Sequence, residues 1–342
     1  MDLKVFALIA VLLSAIVRPA HASLGQTEIP ATPTDGPVTL YYLSRDAERP
    51  VKRGRMMLSL AANGQPVAGN GRLVVISHGS GGSPWVHADL ARALTEAGFI
   101  IALPEHREDN YRDGRNPGPD SWTLRPGEVS RAIDTVSRDA RFSPLLRLDK
   151  VGLYGVSAGG HTAISLAGGQ WSPARFKRHC ETYLTEDFQA CVGLAAQLTG
   201  GMLDGPKRQI ALAIIRHRFS DERLRSDFDP RIAAVVAGVP VAADFDPDSL
   251  IKPRVPLALI TANQDRWQIP KYQSDFVLGV CKSCEHLLDL PGSHGALLSP
   301  LPPGLTGLLG KMLNDPPGYD RERETALVNG KVTEFFAAHL LP

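Results

Sequence analysis

The chain has 342 residues, 43% hydrophobic and 21% charged, with a formal net charge of +1. That length buries a large core, as one large α/β domain with an insertion or as two small domains, and the composition is that of a globular protein. A charge so near zero, with no basic block, argues against a nucleic-acid partner.

Residues 1–22 read as a secretory signal peptide. Lys4 gives a short basic start, Val5 to Val17 is an almost unbroken apolar run, and Ala20-His21-Ala22 is a cleavage signal before Ser23. The run is short for a spanning helix. No later stretch is apolar enough to span a membrane, and the residue directly after the cut is Ser23 rather than a cysteine. The expected location is therefore periplasmic or secreted. Ser23 to Pro37, rich in Pro, Thr and Gly, reads as a flexible lead-in, which leaves 38–342 for the folded domain.

Opening strands are expected at Val38–Leu43 and Arg55–Leu60, punctuated by turns at Asn63-Gly64 and Gly69-Asn70-Gly71. Arg72–Ser77 carries the continuous run Leu-Val-Val-Ile, the pattern of a strand buried on both faces. A helix follows with Leu90, Ala93, Leu94 and Ala97, ending at Gly98, and Phe99–Leu103 is the next buried strand. After a polar loop, Pro104–Pro119, the spacing of Val129, Ile133 and Val136 predicts a helix over Arg125–Arg138. Lys150–Tyr154 is another strand and leads into a small-residue helix. This alternation predicts a mostly parallel, doubly wound α/β sheet.

The alternation breaks over about 170–229, which reads as a helical insertion capping the carboxyl edge of the sheet, with an apolar helical patch at Ile210–Ile215. Strands resume at Ile232–Val239, Val255–Thr261 and Glu285–Leu290. Helices are expected at Lys271–Val280 and Thr325–Leu340. The four cysteines, Cys180, Cys191, Cys281 and Cys284, suit an oxidising compartment, and proximity favours Cys180–Cys191 and Cys281–Cys284. Cys281-x-x-Cys284 could also be half of a zinc site or a redox pair, but no second pair of ligands and no thioredoxin-like βαβ context accompanies it, and no metal is expected.

The chemistry centres on Gly155-Val156-Ser157-Ala158-Gly159, set between a strand and a helix. That is the context of a nucleophile elbow, where glycines admit a turn too tight for side chains beside the serine. A serine hydroxyl needs a base, and the base needs an orienting carboxylate. Asp265 and His294 follow the last two strands in the order Ser–acid–His, at strand carboxyl ends where open α/β sheets place their sites. Asp244, Asp246 and Asp248 are alternative acids; His286 and His339 are alternative histidines, though one starts a strand and the other ends a helix. An oxyanion site needs two backbone N–H groups. Ala158 and the Gly-rich loop His78-Gly79-Ser80-Gly81-Gly82 can supply them, with Ser80 expected as the loop donor and Gly81 as second choice. His78 is expected to brace that loop and His161 to pack behind the elbow. His87 and His106 could line the mouth, and Trp85 and Trp267 could wall the pocket.

With these residues in place the chain resembles the α/β-hydrolase superfamily. More narrowly, it is similar to exported dienelactone-hydrolase-like proteins and, through them, to platelet-activating-factor acetylhydrolases. The resemblance rests on Ile76–Gly82, Arg125-Pro126-Gly127-Glu128-Val129-Ser130, Tyr154–Gly160, Asp229-Pro230-Arg231-Ile232 and the Asp265 and His294 loops. It implies a carboxylic-ester hydrolase without a cofactor, acting on a small-molecule or lipid ester. Dienelactone hydrolases use a cysteine nucleophile; this chain has Ser157, which puts dienelactone itself in doubt. A peptidase or amidase can use the same triad, and a non-catalytic binding protein can share the fold.

Overall fold

The computed structural model describes residues 23–301 and 304–341, so the signal-peptide reading lies outside the described residues. Its strands are β1 (Ser23–Ile29), β2 (Val38–Ser44), β3 (Arg49–Arg53), β4 (Met56–Ala62), β5 (Leu73–Ser77), β6 (Ile100–Pro104), β7 (Val151–Val156), β8 (Ile232–Gly238), β9 (Leu257–Ala262) and β10 (Glu285–Leu290). Its α-helices are α1 (Ala88–Glu96), α2 (Pro119–Arg138), α3 (Ala158–Leu166), α4 (Pro173–Tyr183), α5 (Phe188–Val192), α6 (Asp204–Arg218), α7 (Pro247–Leu250), α8 (Ser274–Val280), α9 (Gly307–Leu313) and α10 (Arg321–Leu340).

The strands make one sheet in the order β10-β9-β8-β7-β5-β6-β2-β1-β4-β3. From β10 to β6 all neighbours are parallel, and β2 then pairs antiparallel with both β6 and β1. Successive residues of β5 point to opposite faces. Leu73 and Val75 join α2 and α3 through Val129, Ile133 and Ile164, while Val74 and Ile76 join α1 and α10 through Leu90, Leu94, Val332 and Phe336. Burial on both faces is why the run is continuously apolar rather than alternating.

The chain passes from β5 to β6 on one side of β5 and returns to β7 on the other. At such a reversal the loops leaving the carboxyl ends part and open a crevice. Ser77 pairs with Gly155 in register, so loop 78–83 and the turn at Ser157 emerge side by side.

Three expectations change. Ser23–Ile29 is not part of a flexible lead-in: it forms β1, hydrogen-bonded along its length to β2 and paired with β4 at Gly25 and Gln26. Its Gly, Gln and Glu carry little strand propensity, so its state is set by its two neighbours. A hairpin strand, β3, precedes the expected second strand, turning at Gly54 and Arg55. The helix expected from Arg125 begins six residues earlier, at Pro119, and runs through Pro126.

Residues 170–229 contain α4, α5 and α6. This segment rests on loops leaving β6, β8 and β9: Arg218 on Asn116 and Asp120, Arg175 on Asp246, and Asp187 on Gln273. Of the Ile210–Ile215 patch, Ile215 is buried while Ile210 and Ile214 face outward. Disulfides join Cys180 to Cys191, tying α4 to α5, and Cys281 to Cys284, closing the turn between α8 and β10. Among the described residues no helix is long and apolar enough to cross a membrane.

Candidate active site

Ser157 sits between β7 and α3 with φ 57° and ψ −118°, a conformation a non-glycine residue holds only when its surroundings enforce it. Its N–H donates to Gly238 O (3.0 Å), and its carbonyl accepts from Val241 N–H (3.2 Å) and His161 N–H (3.0 Å). The flanking glycines are required by close approach. A Cβ on Gly155 would lie 2.0 Å from Gly159 O, and one on Gly159 would lie 1.9 Å from Ser77 O.

Ser157 Oγ is 3.0 Å from His294 Nε2, and His294 Nδ1 is 2.6 Å from Asp265 Oδ2. These partners assign the proton to Nδ1, donating to the carboxylate, and leave Nε2 to accept from the serine hydroxyl. The other oxygen of Asp265 accepts from the N–H groups of Trp267 (2.7 Å) and Gln268 (2.8 Å), which fixes the carboxylate plane. The His294 turn is held by Tyr319, whose hydroxyl donates to Ala296 O (3.0 Å), and by Arg321, which donates to Gly295 O (3.1 Å) and Leu298 O (2.7 Å). Neither support is marked by any local motif.

The alternative residues are occupied elsewhere. Asp244 contacts His161 Nε2 at 3.1 Å, Asp246 pairs with Arg175, and His286 pairs with Asp289 on the surface. His339 packs against Phe335. His161 stacks on Trp122 and touches Trp171 and Phe245.

Loop 78–82 lies over the nucleophile: a Cβ on Gly79 would be 3.3 Å from Ser157 Cβ and 3.9 Å from its Oγ. As the first residue of α3, Ala158 has no intrahelical partner for its N–H. Gly81, the second choice on the loop, drops out, because its N–H donates to Asp109 Oδ1 (3.1 Å). His78 does brace the loop. Its Nδ1–H donates to Gly79 O (2.7 Å) and its Nε2 accepts from His106 N–H (3.2 Å).

His87 and His106 do not line a mouth. Both are buried, His87 against Tyr154 with neither ring nitrogen paired. Burial pulls His87 down to about 4. His106 lies between Ser77 Oγ (2.8 Å) and Glu128 Oε2 (2.6 Å). Trp85 packs edge-on against Tyr111 of the loop leaving β6 and over Gly54 of the β3–β4 turn; Trp267 is buried beside Asp265 with its indole N–H unpaired. Among the described residues no cluster of three His, Cys, Asp or Glu could hold a metal.

A pocket of about 260 Å³ opens between α4 and Ala243, lined by Arg175, Arg178, His179, Thr182 and Tyr183. Ala243 is two residues beyond Val241, which bonds the Ser157 carbonyl.

The fold has solved relatives. The chain is similar to the structure of a ferulic acid esterase from Streptomyces cinnamoneus, with a TM-score of 0.59 and 16% identity over 96% of this chain and 92% of that one. The architecture is that of an α/β-hydrolase fold. No family model matches the chain. No curated protein matches it either.

Proposed function

We propose that this protein is an exported serine hydrolase that cleaves carboxylic esters through an acyl-enzyme. The observation that carries the reading is the continuous contact Ser157–His294–Asp265, with the serine on a strained turn at the sheet's carboxyl edge. His294 Nε2 takes the hydroxyl proton as Ser157 Oγ attacks the ester carbonyl, and Asp265 holds the imidazolium that forms. Ala158 N–H and Ser80 N–H receive the oxyanion. Collapse breaks the carbon–oxygen bond to the alcohol, which leaves with the proton from His294. Water then repeats the sequence and frees the acid and Ser157.

No cofactor enters this scheme. Helices α4 to α6 serve as a cap that sets acyl or alcohol preference. The esterase named among the solved structures belongs to the same reaction class, which supports the reading at the level of ester hydrolysis. The narrower kinship with dienelactone-hydrolase-like and platelet-activating-factor-acetylhydrolase-like proteins rests on the sequence segments alone, and Ser157 in place of cysteine favours general esters over dienelactone. Two disulfides suit a periplasmic or secreted location.

The test is direct. The folded protein should hydrolyse short-chain nitrophenyl esters faster than matched anilides, and a fluorophosphonate should label Ser157. A folded protein whose Ser157 stays unlabelled would overturn the assignment.

A further inference from the structure

Loop 78–82 has no regular structure, and its crest, Ser80 and Gly81, is exposed. Exposed Gly-rich loops are conformationally free, whereas an oxyanion site works only if its N–H groups are fixed before charge develops. The restraint comes from beneath. Arg125, fully buried in α2, pairs with Asp109 Oδ2 at 2.8 Å, and Asp109 is itself only 1% exposed. Arg125 Nε is held by Ser121 Oγ (2.9 Å).

Both members of the pair also bond the loop. Arg125 Nη1 donates to His78 O (2.5 Å) where the loop begins. Asp109 Oδ1 accepts from the Ser80 hydroxyl and from Gly81 N–H at the crest. Burial opposes the charge on Asp109, yet Arg125 and the hydroxyls of Ser80 and Ser121 hold its carboxyl below the usual range. A buried ion pair is weak evidence for stability, since apolar residues often replace one at no loss. A pair that grips the start and the crest of one loop has a more specific use.

We propose that Asp109 and Arg125 are positioning residues that hold the Ser80 N–H at the oxyanion site, with the Ser80 hydroxyl as the tie at the crest. This rests on the esterase reading above. It places part of the oxyanion machinery on Asp109, in the polar segment 104–119, and on Arg125 of α2, outside the Ser157–His294–Asp265 contact.

The experiment compares Ser80→Ala, which keeps the backbone N–H and removes the tie, with Asp109→Asn and Arg125→Lys. Each is assayed for kcat and KM on nitrophenyl butyrate, for inhibition by an alkylboronic acid that forms a tetrahedral adduct on Ser157, and for Tm. Losing a whole oxyanion donor costs about 10²–10³ in kcat; a loosened one should cost about tenfold in Ser80→Ala and about a hundredfold in Asp109→Asn and Arg125→Lys. KM should stay within about threefold, because the loss falls on the transition state. Boronate affinity should fall by the same factor as kcat, which a merely structural role would not produce. A folded Asp109→Asn protein with undiminished kcat, or with a kcat loss that boronate affinity does not follow, overturns the proposal. Should the buried variants not fold, Ser80→Ala decides alone, and full activity there overturns it. If the wild-type protein neither turns over esters nor labels at Ser157, it is the esterase reading that fails instead.

Discussion

Two Ser–His–carboxylate relays lie within this fold. Ser157–His294–Asp265 has contacts of 3.0 and 2.6 Å; Ser77–His106–Glu128 has contacts of 2.8 and 2.6 Å. They are neighbours, because Gly159 of the elbow packs closely on Ser77 O. By hydrogen-bond geometry alone they are hard to tell apart. Their surroundings differ in two ways. Ser157 stands on a turn with part of its surface open, whereas Ser77 ends a strand with none. A general base must also become an imidazolium. Burial and the nearby Arg125 charge hold His106 well below the ordinary range, so that cation is opposed where Ser77 would need it. The lesson is that the pattern of bonds makes a relay, while access and tolerance of the developing charge make a site. The inner relay instead props loop 78–82, since His106 N–H donates to His78 Nε2.

The comparison can be broken by mutation. Ser157→Ala should lower kcat by about 10⁶, while Ser77→Ala should leave kcat within about tenfold and lower unfolding free energy by about 1–3 kcal/mol, because His106 Nε2 is left unpaired. Esterase assays and urea denaturation on the same preparations check both. At the carboxylates, Asp265→Asn should cost about 10⁴ in kcat through the wrong His294 tautomer. Glu128→Gln should register in stability, by about 1–3 kcal/mol, with kcat within about tenfold. Equal kcat losses from Glu128→Gln and Asp265→Asn would mean that the inner relay is catalytic after all.

The smallest effect concerns pH. His87 is held at about 4 against an ordinary 6.5, so the unfolded chain takes up its proton first as pH falls. Stability from this group is complete above the ordinary value and is lost as pH drops toward the folded one. Between pH 7 and 5 the loss should be roughly 2 kcal/mol. His87→Leu should remove that share from the pH dependence of denaturation midpoints while leaving the pH–rate profile of ester hydrolysis unchanged. An unaltered pH dependence of stability would show that His87 is not held neutral.

Legibility followed the physics of each element. The buried strands were readable because burial on both faces demands continuous apolar runs, and Ser157, Asp265 and His294 because each follows the carboxyl end of a strand, β7, β9 and β10. β1 was not readable: Ser-Leu-Gly-Gln-Thr-Glu-Ile becomes a strand through its neighbours rather than its residues. The supports of the site were invisible for a related reason. Asp109, Glu128 and Arg125 look like surface charges in sequence, and only the folded arrangement brings them inside. Arg125-Pro126 falls in a family-like segment, but its purpose depends on a contact across 47 residues to His78.

The place of β1 bears on how the chain can be trimmed. It lies between β2 and β4, and β3 reaches the sheet only through β4. A protein started at residue 38, where composition alone would begin the folded domain, would lose the strand that joins the β3–β4 hairpin to the rest. Two rows of unpaired backbone groups would then face water, the condition under which sheets recruit neighbouring chains. Such a protein should keep its triad and yet self-associate, so a soluble fragment must begin at or before Ser23.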